Sequence, residues 1–206
     1  MKIFITRHSK TLWNQEKKLQ GWKDSPLTKE GINDALLLKK RIQNISIDYC
    51  YSSPINRAKQ TSEILFEHVI LDDRLKEMNF GIYEGKNITE LLNDKQYDAL
   101  WNQPNDDVKL PGGESYKEVQ KRLLNFIDEI YQKNSDKTIF ITIHGMLFII
   151  LHGLMLEYKT SDLVKINQHV IRGCSLSEVE YDGKKFDIKY IGDDRHLKNT
   201  ETISYK

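Results

Sequence analysis

Residues 2–14 read KIFITRHSKTLWN: a run of β-branched and aromatic residues that stops at Arg7-His8 and gives way to a polar turn. That is the pattern of a buried strand running into a loop. From Thr28 to Gly31 a helix opens and continues to about residue 43, with Ile32, Ala35, Leu36, Leu38 and Ile42 as its predicted buried face. Residues 48–52, DYCYS, form a short strand. Pro54, a residue suited to a first helical turn, starts another helix through Ile55, Ala58, Ile64 and Leu65. A βαβα rhythm results.

Residues 68–113 are less regular, with short helical pieces at 87–93 and 97–101 and a turn at Pro111-Gly112-Gly113, and they read as an insertion over the sheet and the site. The order then resumes. Residues 114–132 form a long amphipathic helix, 138–143 (TIFITI) a fully apolar strand, and 146–156 a helix apolar nearly all round, so that strand and helix must be central. Residues 175–181 and 185–191 flank Asp182-Gly183, a strong hairpin signal. The expected fold is α/β, one domain over 1–206, with a mainly parallel sheet covered on both faces.

Composition narrows the function classes. Lys and Arg number 31 against 30 Asp and Glu, so no global field favours nucleic acid or an anionic membrane. Any basic site is therefore local. The two cysteines, Cys50 and Cys174, sit in apolar stretches with no metal or redox spacing, and no long apolar span or signal peptide is seen. A cytoplasmic protein with reduced, buried thiols is expected.

In open α/β sheets, ligands bind outside the carboxyl ends of the strands, where the connecting loops converge. Three predicted strands end there in informative residues. The first delivers Arg7 and His8, the second Ser52-Ser53 and, one helical turn on, Arg57, and the strand at 138–143 delivers His144-Gly145. A lone histidine or helix-start arginine is ordinary; two of each at equivalent strand ends point to a site for a phosphoryl dianion. Arg7 and Arg57 would clamp its oxygens, while the histidines add charge and hydrogen bonds. No acidic cluster suggests a metal, and no cofactor is expected. Neighbouring cations also hold a histidine neutral, and hence nucleophilic, near pH 7.

These residues lie within a longer ordered series: Arg7-His8-Ser9-Lys10-Thr11, Trp13-Asn14, Gln20-Gly21-Trp22, Ser25-Pro26-Leu27-Thr28, Gly31, Ser52-Ser53-Pro54 with Arg57-Ala58 and Gln60-Thr61, Glu77 within LKEMNFGIYEG, Pro111-Gly112-Gly113-Glu114-Ser115, and Ile143-His144-Gly145. The series, over about residues 2–181, resembles the histidine phosphatase superfamily, which includes cofactor-dependent phosphoglycerate mutases. The resemblance implies a three-layer α/β/α sandwich. It implies His8 as the nucleophile that becomes phosphohistidine, Arg7, Arg57 and His144 as the phosphate pocket, and Glu77 as the proton donor. Asn14, Gln20, Gly21 and Gly145 would contribute to substrate binding. A carboxylic acid suits Glu77's position in the chemistry, since it can protonate a leaving alkoxide and its carboxylate can then activate water.

Two positions depart from the family pattern. Where a glycine and then an acidic or neutral residue usually follow the nucleophile, this chain has Ser9 and Lys10. The Ser9 hydroxyl is expected to bond a phosphate oxygen and Lys10 to point to solvent. In the mutases the acid is followed by arginine and tyrosine, with a lysine about ten residues on and a longer basic insertion. Here Met78, Asn79 and Phe80 follow Glu77, and Ile88 stands near the lysine position. The favoured function is therefore a metal-independent phosphatase of a small phosphorylated metabolite. A cofactor-dependent phosphoglycerate mutase and a weakly active phospho-ligand-binding relative remain as alternatives. Phe80, Tyr83, Tyr97, Trp101 and Trp22 are candidates to hold an organic leaving group. His152 reads as a core histidine, His68, His169 and His196 have no comparable setting, and the tail from Asp193 reads as polar and mobile.

Overall fold

A computed structural model describes residues 1–167 and 170–197. Its strands are β1 (Lys2–Arg7), β2 (Tyr49–Ser52), β3 (Ile70–Leu71), β4 (Thr138–Ile143), β5 (Leu176–Tyr181) and β6 (Phe186–Asp193), in the sheet order β3-β2-β4-β1-β5-β6. The β3-β2, β2-β4 and β4-β1 pairings are parallel, and β5 and β6 add antiparallel. The helices are α1 (Leu12–Gln15), α2 (Lys29–Ile42), α3 (Asn56–Leu65), α4 (Ile88–Leu91), α5 (Lys95–Asn102), α6 (Tyr116–Asn134) and α7 (Gly145–Met155).

Side-chain alternation along the central strands sorts the core into two layers. Ile3 and Ile5 of β1 and Ile139, Ile141 and Ile143 of β4 join the cluster that includes Leu123, Phe126, Ile127 and Ile130 of α6 and Leu147 and Ile150 of α7. Phe4 and Phe140, one residue out of phase, pack with Ala35, Leu38 and Ile42 of α2 and Leu65 of α3. The result is a three-layer α/β/α sandwich, as expected. Residues of the segment between β3 and α6, among them Leu75, Met78, Phe80 and Leu100, extend the first layer.

Several expectations shift. Ile32 and Leu36 are 44% and 51% exposed, because the buried stripe of α2 runs through Gly31, Asp34, Ala35, Leu38 and Ile42, one position away. Pro54 stands before α3, whose N-cap is Ile55 in an extended conformation; the Ser53 hydroxyl accepts from the Ile55 N–H and turns the chain around the proline. The segment at 68–113 is not wholly an insertion, since Ile70–Leu71 extends the sheet edge, too short and too exposed to be legible as a strand. Cys50 and Cys174 are free and buried, and burial pushes both thiols up to about 12. The stretch from Asp193 to Leu197 is structured: β6 includes Asp193, Leu197 is buried, and His196 meets the Cys174 carbonyl at 2.8 Å. His152 is half-buried beside Phe148, as expected of a core histidine. His169 and the tail from residue 198 lie outside the described residues. Among the described residues, no helix is long and apolar enough to cross a membrane.

Candidate active site

The parallel register of β1 and β4 aligns Arg7 with Ile143, so the next residues, His8 and His144, leave the sheet side by side. Their ring centroids are 5.2 Å apart. On the other flank of β4, Ser52 of β2 aligns with Thr142, and the chain then enters α3, whose second residue is Arg57. Three adjacent strands thus bring Arg7, His8, Arg57 and His144 together at their carboxyl ends. The strap after residue 170 closes the cluster from the β5 side: the Cys174 N–H donates to the Arg7 carbonyl and Arg7 Nη1 donates to the Ile171 carbonyl, at 2.9 and 3.1 Å.

The tautomer of His8 follows from its contacts. Its Nδ1 lies 2.7 Å from the Ser9 carbonyl, which only accepts, so Nδ1 carries the proton. Nε2 then presents a lone pair, which accepts from Arg57 Nε at 3.3 Å. Burial first, and then the charges of Arg57 and Arg7, hold the His8 pKa well below 6.5. His144 is lowered in the same way, by burial and then by Arg57, and among the described residues neither of its ring nitrogens has a hydrogen-bond partner. Arg57 is fully buried: Nη1 donates to the Lys23 carbonyl and Asp24 Oδ1, both at 3.0 Å, and Nη2 to the Gly21 carbonyl at 2.7 Å.

Glu77 completes the group from a different part of the chain. Its Oε1 accepts from the N–H groups of Met78 and Leu147, both at 2.9 Å, and Oε2 accepts from Met146 at 3.1 Å. The carboxyl therefore sits on the N-terminal turn of α7, directly after His144. Burial pushes its pKa up, and although these N–H donors and Arg57 pull it down, burial outweighs them. A neutral imidazole with an unprotonated nitrogen, a carboxyl disposed to hold a proton and a concentration of arginine charge are the parts that phosphoryl transfer through a histidine requires.

The family model described as Histidine phosphatase superfamily (branch 1) matches residues 3–194. The chain belongs to that superfamily. A Yersinia pestis (strain Pestoides F) protein named "Probable phosphoglycerate mutase GpmB" is 29% identical to this histidine phosphatase family member over 207 residues, covering 96% of this chain and 95% of its own. The solved structure of Bacillus stearothermophilus YhfR is similar with a TM-score of 0.87 and 30% identity, over 95% of this chain and 98% of that one. A phosphoserine phosphatase from Entamoeba histolytica, solved in complex with 3-phosphoglyceric acid, has a TM-score of 0.85 and 25% identity over 95% and 98%. The neighbours of this superfamily member thus include both phosphatases and phosphoglycerate mutase-like proteins.

A cleft with about 480 Å³ of space, part of it open to solvent, adjoins the cluster. Arg7, His8, Glu77, Asn14, Gln20 and Gly145 all reach its wall. Arg57 and His144 do not line it; both are completely buried. Asn14 Oδ1 accepts from the backbone N–H and hydroxyl of Thr11, and the Gln20 amide nitrogen donates to the same hydroxyl. Gly21 does not line the cleft either. It supports Arg57 through its carbonyl, and a Cβ there would fall 2.1 Å from Glu84 Oε1. Among the aromatic candidates, Phe80, Tyr97 and Trp101 line the cleft with Ile88. Tyr83 instead packs in the core with its hydroxyl on Asp94, and Trp22 donates its indole N–H to the Glu77 carbonyl.

Neither departure from the family pattern lines the cleft. Ser9 is completely buried and its hydroxyl donates to the Gly31 carbonyl at 2.7 Å, so it ties the nucleophile loop to the start of α2 rather than meeting phosphate. Lys10 is only 23% exposed and pairs with Glu30 at 2.7 Å instead of standing free in solvent.

Sequence reasoning assigned no role to Glu84, Asp24 or Arg122. Buried Glu84 accepts from the N–H groups of Trp22, Lys23 and Phe80, tying the loop that carries Arg57's partners to the segment after Glu77. The acidic residue in IYEG was visible, but nothing in the sequence indicated that its partners would be backbone amides about 60 residues away. Lys18, a cation on the cleft wall paired with Glu16, was also missed.

Proposed function

We propose that this protein is a metal-independent phosphomonoester phosphatase that acts on a small phosphorylated metabolite through a phosphohistidine at His8. The observation that carries this reading is the Nδ1 contact of His8 with the Ser9 carbonyl, which leaves Nε2 unprotonated, its lone pair accepting from Arg57, while Glu77 reaches the same cleft. The Nε2 lone pair attacks phosphorus, the bond from phosphorus to the ester oxygen breaks, and that oxygen takes the Glu77 proton as the alcohol leaves. The resulting Glu77 carboxylate then removes a proton from water, whose oxygen attacks the phosphohistidine. The N–P bond breaks, its electron pair returns to Nε2, and inorganic phosphate departs.

Charge placement fits both steps. Arg7 and Arg57 offset the negative charge on the phosphoryl oxygens, and a phosphoryl group on Nε2 takes over the Arg57 Nε donor that the resting histidine now holds. His144, neutral and without a hydrogen-bond partner among the described residues, can donate to a phosphoryl oxygen. The unpaired buried thiols favour a reducing compartment, consistent with work in the cytoplasm.

Hydrolysis is favoured over mutase action by the cleft wall, where Phe80, Ile88, Tyr97 and Trp101 offer no charge to a second anionic group. Lys18 is the observation that supports a mutase, because its ammonium is the cation on that wall besides Arg7. The test is p-nitrophenyl phosphate hydrolysis with chelator present, alongside conversion of 3-phosphoglycerate to 2-phosphoglycerate. Phosphate release lost in His8→Ala, without isomerisation, supports the phosphatase; isomerisation faster than phosphate release overturns it.

A further inference from the structure

The Glu77 carboxyl rests on the start of α7, but its main chain is held by α6. After the short 3-10 turn Asp73–Leu75, the chain runs past α6 with its carbonyls in need of donors. Arg122 supplies them: Nη1 donates to the carbonyls of Arg74 and Lys76, both at 2.7 Å, and Nη2 to that of Glu77 at 3.1 Å. The guanidinium is oriented by Glu114, which accepts from Nε at 2.9 Å and from Nη2 at 3.0 Å. Glu114 also grips the far side of the same segment, accepting the Asn79 N–H on its side chain and donating its own N–H to the Asn79 carbonyl, both at 2.9 Å. Residues 74–79 are thus clamped on both sides of Glu77. A second donor, the Trp22 indole, meets the Glu77 carbonyl at 2.9 Å.

We propose that Arg122 and Glu114 form a positioning pair that holds the Glu77 carboxyl where it can protonate the departing oxygen. The pair touches no substrate. It acts through the Glu77 main chain, and a planar fork is needed because one side chain has to serve three carbonyls and a carboxylate at once. Its two members are eight residues apart, with Glu114 just before the α6 N-cap Ser115 and Arg122 two turns into the helix. This inference rests on the phosphatase reading and on Glu77 as its acid.

The experiment compares two esters that differ in their need for that acid. Nitrophenolate leaves without a proton, whereas the alkoxide of 2-phenylethyl phosphate does not. The ratio kcat/KM covers only the steps through transfer to His8, so the later water step does not mask the difference. Loss of well-placed acid catalysis should lower kcat/KM for 2-phenylethyl phosphate by about 100-fold in Arg122→Met and Glu114→Gln, but for p-nitrophenyl phosphate by about threefold or less. Arg122→Lys, which keeps the charge but not the fork, falls between. Glu77→Gln shows the same bias, and adding Arg122→Met to it produces little further loss. Should Arg122→Met fail to fold, the nearly isosteric Glu114→Gln carries the test. Equal loss on both esters, or loss on neither, overturns the positioning pair while leaving the phosphatase intact. A wild type that cleaves neither ester overturns the phosphatase reading and this inference with it.

Discussion

On its sheet side the cleft is formed by Arg7 and His8, with Arg57 and His144 buried beside them; on the side contributed by residues 80–101 it is formed by Phe80, Ile88, Tyr97 and Trp101. The first side is built by register. Adjacent parallel strands fix where each functional residue emerges, and Arg57 alone makes bonds to Gly21, Lys23, Asp24 and His8. The second side is built by packing. Tyr97 and Trp101 meet in tilted contact at 6.0 Å, and with Phe80 and Ile88 they present mainly apolar area to the cleft. Under the proposed function the contrast separates two tasks: the strand ends would recognise one fixed group, phosphoryl, and the apolar side would tolerate variation in the group attached to it.

If that division is right, damage to the strand-end side is severe for every substrate. His8→Ala should reduce turnover at least about 10⁴-fold, as loss of a nucleophile does, on p-nitrophenyl and alkyl phosphates alike. Glu77→Ala follows, with kcat/KM for an alkyl phosphate reduced about 10²–10³-fold and KM little changed. A dominant change in KM would mean that Glu77 binds substrate rather than transferring a proton.

Under the proposed mechanism the same two residues set the pH dependence. His8 attacks only when neutral, and with its pKa well below 6.5 that ability is lost only at pH values below the ordinary histidine range. Glu77 donates only when protonated, so donation is lost as pH rises through its raised pKa, above the ordinary 4.5. The alkyl-phosphate profile of kcat/KM should therefore fall on its alkaline side, and Glu77→Ala should remove that limb. An alkaline limb that persists in the variant would assign it to another group.

Changes on the apolar side should be graded and substrate-dependent. Trp101→Ala should lower kcat/KM by about tenfold for an aromatic ester and by less for a small one, the range that partial loss of apolar contact provides. A uniform loss across substrates would erase the distinction between the two sides. The smallest effect on activity is expected at Ser9, whose hydroxyl faces α2. Ser9→Ala should keep KM within about twofold and instead cost about 0.5–1.5 kcal/mol of stability by removing the hydrogen bond that ties the nucleophile loop to the Gly31 carbonyl, measured by denaturant unfolding.

The two sides also differ in how far the sequence revealed them. Arg7, His8, Arg57 and His144 were legible because each lies at or shortly beyond the carboxyl end of a strand, and parallel strands deliver their loops to one edge. Glu77 was legible only through its place in an ordered series of motifs. The direction of Ser9 was not, since one buried hydroxyl can serve a ligand or a neighbouring carbonyl with equal chemistry. Arg122 was hidden because its partners are main-chain carbonyls 45 to 48 residues away, which leave no mark in side-chain pattern. Ile32 and Leu36 misled for a geometric reason: an apolar residue one position off a helical stripe points about 100° away from it.

In the proposed mechanism a phosphoryl group passes through His8. Rapid quenching of the enzyme with substrate, followed by mass spectrometry of its peptides under alkaline conditions that preserve phosphohistidine, tests it directly. An acid-labile phosphate is expected on the peptide that contains His8, absent from His8→Ala. Phosphate on any other residue, or turnover that persists in His8→Ala, would contradict it.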